Sequence, residues 1–346
     1  GTAMPIIAGR LGHDRYQGEA FFTATLWGHQ TRSFVMSAVA FLNGEYVPLA
    51  EAKVGIMTHA LHYGTGAFEG IRGNWNEEAG KTYMFRLREH YERMLTGCKM
   101  LWIDVPHTVE ELCQITIEVV ERSGFQEDLY IRPMAFKSEE KVANLNLRSL
   151  GDGFMCLAIP FGNYIESDGA LNCCVASYRR IDDTMVPPRF KLSGLYLNSI
   201  LAKTDAIASG FDEAIMLNFD GHVCEGTGEN IFFVHGDTVA TPTLESNVLP
   251  GITRATVIEL IQDELGMKVE ERVVDRSELY TADEVFLTGT AAHVQGVGTV
   301  DHRPVGGGGM GPTTRQIREM YFPIVRGQNP AYMHYLSSAT PRVPAS

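Results

Sequence analysis

Lys191 lies in "RFKLSGLYLNSI" (Arg189–Ile200), a stretch whose composition suggests chemistry. It follows the turn-like run "DDTMVPPR" and precedes Tyr196, Ile200 and Leu201 at helical spacing, so it is expected where a turn leads into a helix. A lysine near a loop is ordinarily a solvated charge with a pKa of ~10.4. Here apolar Phe190 and Leu192 flank it, and burial would favour the neutral amine that attacks a carbonyl to form a Schiff base.

If that carbonyl belongs to pyridoxal phosphate, three further parts are required: a phosphate cup, an acid for the pyridine nitrogen and a donor to the ring oxygen. "NVLPGITRATVIEL" turns from Pro250-Gly251 into a helical pattern, and the free N–H groups of its first turn, at Ile252 and Thr253, suit a phosphate. Taken alone it reads as a capped helix. "LTGTAAHV" adds a second small-residue turn, with Thr290 and the N–H groups of Ala291 and Ala292 open to a ligand. Glu225 of "HVCEGTGENIF" sits on a turn between two expected strands, and Tyr196 lies just inside the helix after Lys191. The glycines of "GTGAFEG" and "EGTGEN" do not have the interval of a dinucleotide fingerprint, and no phosphate-loop string ending in Gly-Lys-Ser/Thr occurs.

The elements that must position these residues read as mixed α and β. "AVAFLNGEYVPLAEAKV" alternates about an Asn-Gly turn and predicts a hairpin. Leu87, Tyr91, Met94, Leu95, Cys98 and Leu101 recur at helical spacing, and Thr108 with Glu111 forms a capping box before a second helix. "DLYIRPMAF", "GFMCLAIPF", "LNCCVASY", "EAIMLN", "ENIFFV" and "DEVFLTG" predict strands, with a helix to about Ser209 and another from Thr253 to Leu265. The expected organisation is an N-terminal extension (1–37), a small α/β domain (38–159), an interdomain loop (160–169), a larger α/β domain (170–327) and a C-terminal tail (328–346).

The strings "HALHYGTGAFEGIR", "FRLREHYERM", "YIRP", "FKLSGLYLNS", "EGTGENIF", "LPGITR" and "ADEVFLTGTAA" follow the order found in class IV aminotransferases. The chain most resembles the branched-chain amino acid aminotransferases, over roughly residues 39 to 325. The resemblance implies the two-domain fold-type IV architecture, like that of D-amino acid aminotransferase, with pyridoxal 5'-phosphate held in the larger domain. It implies that Lys191 carries the cofactor and moves the substrate proton, that Glu225 pairs with the pyridine nitrogen, and that Tyr196 donates to the ring oxygen. Arg93, Ile252, Thr253 and Thr290 match the phosphate contacts; from the residues alone, Arg93 reads as an exposed helix charge. Tyr63, Phe68, Tyr130, Phe161 and Tyr164 match an aromatic substrate pocket, with Arg132 matching the arginine that receives a glutamate side chain. Ala291, Ala292 and Tyr130 resemble the α-carboxylate site, and Arg72 an arginine behind it. Tyr63 is expected to reach a neighbouring subunit, which implies a homodimer or larger. The sequence departs from the family at His293 and Gly296-Val297, where an acidic residue and Pro-Val are expected.

The implied substrates are leucine, isoleucine or valine, with 2-oxoglutarate as acceptor. A D-amino acid or (R)-amine transaminase, or a chorismate-derived lyase, shares Lys191 and Glu225. A non-catalytic binding protein or a nucleotide-dependent oxidoreductase requires both to be incidental. Composition narrows the field further. A net charge of −13 on 346 residues argues against nucleic-acid and anionic-membrane partners. No apolar run reaches the ~20 residues of a membrane span. Six cysteines without a Cys-x-x-Cys pair give no metal or disulfide pattern, and together with the lack of a secretion signal they lead to an expected cytoplasmic protein.

Overall fold

The Asn43-Gly44 turn takes the two positive φ values, 48° and 100°, that a two-residue hairpin requires. It joins β1 (Val39–Leu42) to β2 (Glu45–Pro48) in a computed structural model that describes residues 38–162 and 169–342. After the short helix α1 (His59–Tyr63) come β3 (Gly66–Phe68), β4 (Ile71–Asn76), β5 (Lys81–Phe85), helices α2 (Leu87–Met100) and α3 (Val109–Ser123), then β6 (Leu129–Lys137) and β7 (Asp152–Pro160). These strands form one antiparallel sheet, and β3 pairs with β6 off its main path. The expected helical faces bury together: Leu87, Tyr91, Met94 and Cys98 of α2 and Leu112, Ile115 and Val119 of α3 pack on Ile71, Leu129 and Ile131. The Thr108–Glu111 capping box opens α3 as the sequence predicts.

A second, mixed sheet contains β8 (Leu171–Arg179), β9 (Glu213–Leu217), β10 (Val223–Gly226), β11 (Asn230–His235), β12 (Thr238–Thr241), β13 (Lys268–Glu271), β14 (Glu284–Gly289), β15 (His293–Val300) and β16 (Arg303–Pro304). The β8–β9, β8–β15 and β12–β13 pairs are parallel. Helix α4 (Tyr196–Ala208) covers β8 and β9. Helices α5 (Ile252–Asp263) and α6 (Pro312–Val325) bury Val257, Leu260 and Ile317 against Phe232 and Phe286. Pro323 inside α6 and glycines 296 and 298 inside β15 interrupt the patterns by which those two elements would be read.

The expected tail is corrected by the structure. A 3-10 turn over Pro330–Tyr335 leads into β17 (Leu336–Ala339), which pairs antiparallel with β5 as the outermost strand of the first sheet. "LSSA" is too short and too polar to announce a strand; its partner decides its conformation. The junction is fastened at Arg86, whose N–H donates to the Tyr335 carbonyl and whose guanidinium lies 3.9 Å from the Tyr335 ring centroid. Residues 1–37 and Tyr164 lie outside the described residues.

Candidate active site

The lysine turn is held against β3 by close backbone approach. Gly64, at φ +66°, accepts the Gly194 N–H at 3.1 Å, and a Cβ on Gly64 would stand 2.8 Å from the Gly194 Cα. The Ser193 hydroxyl donates to the Gly64 and Gly66 carbonyls, while the Phe68 N–H donates to the Lys191 carbonyl at 3.0 Å. Half-buried Lys191 is thereby aimed at Tyr196, and its Nζ donates to the tyrosine Oη at 2.6 Å. The Phe68 ring lies 4.9 Å from that of Tyr196.

This pair opens on a cavity of about 360 Å³. Arg93, Lys191, Tyr196, Ile252, Thr253 and Thr290 line it, as do Phe68, Tyr130, Arg132, Phe161 and Ala291. Glu225 lines a smaller adjoining hollow that shares Lys191 and Tyr196. Three expected residues stand elsewhere. Ala292 is buried next to Ala291 without lining the cavity, and Arg72 borders a separate water-sized hollow behind Thr253 and Thr290. Tyr63 is 41% exposed on α1, where its hydroxyl accepts the Ala143 N–H.

At one end of the site, Glu225 Oε1 accepts from Arg180 at 2.8 Å, while Oε2 accepts from Asn230 Nδ2 and the Leu249 N–H. Burial pushes this carboxyl up, and Arg180 pulls against the rise. Its neighbour Glu229 is raised to about 8 by burial and by the charge of Glu213.

At the other end, α5 begins on Gly251, which caps it without a side chain; a Cβ there would fall 2.0 Å from the Asn230 Oδ1. Arg93 donates to both oxygens of Glu69 and, through Nη1, to the Pro250 carbonyl at 2.9 Å. Buried Tyr321 of α6 hydrogen-bonds Thr253 from behind, and burial pushes its hydroxyl up to about 12.

Toward Phe161, Arg132 Nη2 donates to the Tyr130 hydroxyl at 2.8 Å and its guanidinium lies 4.4 Å from the Phe68 ring. Its Nε is buried without a protein partner, as is the hydroxyl of Thr288 on the cavity wall. A Cβ on Gly70 would sit 2.3 Å from the Tyr130 hydroxyl, so glycine makes room for that oxygen. Arg72 donates to the Gly162 carbonyl and lies 5.0 Å from the Phe161 ring. His293, at φ +56°, is pushed down to about 3 by burial and by Arg72, so its ring is neutral where an acid was expected.

A model of the amino-transferase class IV family matches residues 66–300. The chain belongs to the class IV aminotransferases. A protein of Aquifex aeolicus named a probable branched-chain-amino-acid aminotransferase is 46% identical over 306 residues, 88% of this chain and 98% of the relative. The branched-chain aminotransferase of Thermoproteus uzoniensis, solved with norvaline, is 44% identical with a TM-score of 0.83, covering 87% of this chain and 99% of that one. A branched-chain amino acid aminotransferase from the source abbreviated T.th., at 38% identity, covers 88% and 99% and has been solved with 4-methylvaleric acid (TM-score 0.80) and with N-(5'-phosphopyridoxyl)-L-glutamate (TM-score 0.81). The two-sheet architecture is therefore that of fold-type IV.

The family's cofactor, pyridoxal 5'-phosphate, supplies when bound a carbonyl for amine exchange and a ring that draws electrons from the substrate Cα. The donor set of this aminotransferase fits it: an uncapped helix start beside an arginine for the phosphate, a buried carboxylate for the ring nitrogen, and a lysine–tyrosine pair between them. Residue reading missed Arg180, Glu69, Asn230 and Tyr321, each of which backs a residue that lines the site.

Proposed function

We propose that this aminotransferase moves the amino group between branched-chain L-amino acids (leucine, isoleucine and valine) and 2-oxoglutarate. The observation that carries the reading is Arg132, a guanidinium with an unpaired buried Nε in a wall otherwise built of Phe68, Tyr130 and Phe161. An aliphatic side chain needs only that aromatic wall, whereas a glutamate carboxylate brought to the same place needs a charge-assisted donor. The two complexes of the 38%-identical enzyme, one with an apolar acid and one with a glutamate derivative, support a single pocket for both.

In this reading Lys191 anchors the cofactor and, once displaced by the substrate amine, its Nζ takes the proton from the substrate Cα. Tyr196 orients that amine and faces the ring oxygen. Glu225 holds the proton on the ring nitrogen. Arg93, the first-turn N–H groups at Ile252 and Thr253, and Thr290 hold the phosphate. The Tyr130 hydroxyl and the N–H groups of Ala291 and Ala292 take the α-carboxylate, and Arg72 braces the loop that carries Phe161 and Tyr164.

A homodimer or larger assembly belongs to the same proposal. Ile56, Leu61 and Leu145 are 84%, 64% and 86% exposed, and hydrogen bonds from His59 to the Asn144 carbonyl and from the Ala143 N–H to Tyr63 join the segments that carry them. Light scattering is expected to give at least twice the chain mass. A cytoplasmic location is proposed with it; among the described residues no helix is long and apolar enough to cross a membrane.

The test is a panel of amino donors, in both enantiomers, with 2-oxoglutarate as acceptor. L-Leucine, L-isoleucine and L-valine should give the highest rates. Activity confined to D-amino acids or (R)-amines would reject the substrate assignment.

A further inference from the structure

Arg93 has five N–H donors, and three are already engaged. Nε and one Nη2 proton lie on the two oxygens of Glu69 at 2.7 and 2.6 Å, and one Nη1 proton lies on the Pro250 carbonyl. Two remain for a ligand. Glu69 is fully buried, and its Oε2 also accepts from His90 Nδ1 at 2.8 Å. Burial would raise this carboxyl, but Arg93 and His90 together hold it down at about 2. Burial pushes His90 down as well, so the imidazole is neutral, with its proton on Nδ1 toward the carboxylate.

Two consequences follow. One cation, one anion and one neutral ring leave this corner without net charge, so a phosphate there meets directed N–H groups rather than a free positive charge. The Pro250 carbonyl also immediately precedes the Gly251 cap, so the Arg93 fork ties α2, beside the first sheet, to the start of α5, beside the second. Phe68 and Gly70 line the cavity while Glu69 between them lies in the interior, which makes one tripeptide serve both the substrate wall and the arginine.

We propose that Glu69 and His90 are positioning residues for the cofactor phosphate: Glu69 sets the orientation of the Arg93 fork against the first turn of α5, and His90 sets Glu69. This rests on the reading that Arg93 meets the phosphate. The experiment compares pyridoxal phosphate with pyridoxal, which lacks only the phosphate. Both are titrated into the full chain freed of cofactor, for wild type, Glu69→Gln, His90→Leu and His90→Asn, and melting temperatures are recorded alongside.

Glu69→Gln should lose roughly tenfold of the preference for pyridoxal phosphate, the usual scale of one charge-assisted contact. His90→Leu should lose roughly threefold, and His90→Asn should restore it, because the asparagine amide nitrogen can stand where Nδ1 stood. Lower melting temperatures with an unchanged preference would reduce both residues to a structural role and overturn the proposal. A preference that rises would overturn it too, since Glu69 would then be restraining the arginine's charge rather than aiming it. If Glu69→Gln does not fold, the two His90 variants decide the question alone. A wild type that binds pyridoxal as tightly as pyridoxal phosphate would instead remove the phosphate reading on which the proposal stands.

Discussion

The two ends of the site are both built on a buried glutamate–arginine pair, with the roles exchanged. At the Glu225 end the carboxylate lines the pocket and Arg180 stands behind it. At the Arg93 end the guanidinium lines the cavity and Glu69 stands behind it. The hidden carboxylate is the more strongly held of the two: Glu69 receives two guanidinium donors and a histidine, whereas Glu225 receives one guanidinium nitrogen and two neutral N–H groups. The acid at the pocket is therefore adjustable and the acid behind the arginine is fixed. Asn230 joins the ends, since its Nδ2 donates to Glu225 and to the Leu249 carbonyl while its Oδ1 occupies the space above Gly251.

The largest expected effect lies between the ends. Lys191→Ala should lower turnover by at least ~10³-fold, because one amine is both anchor and base, while both ends still bind cofactor. Retained turnover with L-leucine and 2-oxoglutarate would take Lys191 out of the chemistry.

The next test asks which carboxylate belongs in the comparison. Glu225→Gln should cost ~10²-fold in kcat, since a neutral amide holds a protonated ring nitrogen poorly, and Glu229→Gln should cost much less. The reverse order in steady-state kinetics would assign the role to Glu229.

Arg180→Leu sharpens the contrast through pH. Burial already raises Glu225, and removing the cation raises it further; the anion that activity requires is lost as pH falls through that value. The acid limb of the kcat/KM profile should therefore move to higher pH than in wild type. An unmoved limb would mean that Arg180 does not govern the carboxylate.

The smallest predicted change is selective. Arg132→Leu should lose at least ~10-fold more efficiency with glutamate than with leucine in single half-reactions. Equal losses would place Arg132 on the shared α-carboxylate or in the fold.

The residues lining the site were legible because they sit in short strings at turns: "FKLSG", "EGTGEN" and "LPGITR" each carry a residue that reaches a cavity. Their partners were not. Glu69 offered one signal, a carboxylate inside the small and apolar run "GAFEG", which forecasts burial and hence a counter-charge. Nothing local points to Arg93, which lies 24 residues away on another element, and Arg180 reads as the polar end of a strand. The fold divides in the same way. The periodic faces of α2 and α3 and the Asn-Gly hairpin follow from their own residues, whereas β17 takes its conformation from β5 and α6 hides behind an internal proline.

Strand β17 has a consequence for how the chain is made. Its partner β5 ends at Phe85, and β17 begins only after every strand of the second sheet has been synthesised. At ~5–20 residues per second, the outer edge of the first sheet stays unpaired on the ribosome for on the order of 10–50 seconds. During that interval β5 presents free backbone donors and acceptors, which is a standing invitation to pair with another nascent chain. The N-terminal half of this protein is thus the first to be translated and the last to be closed.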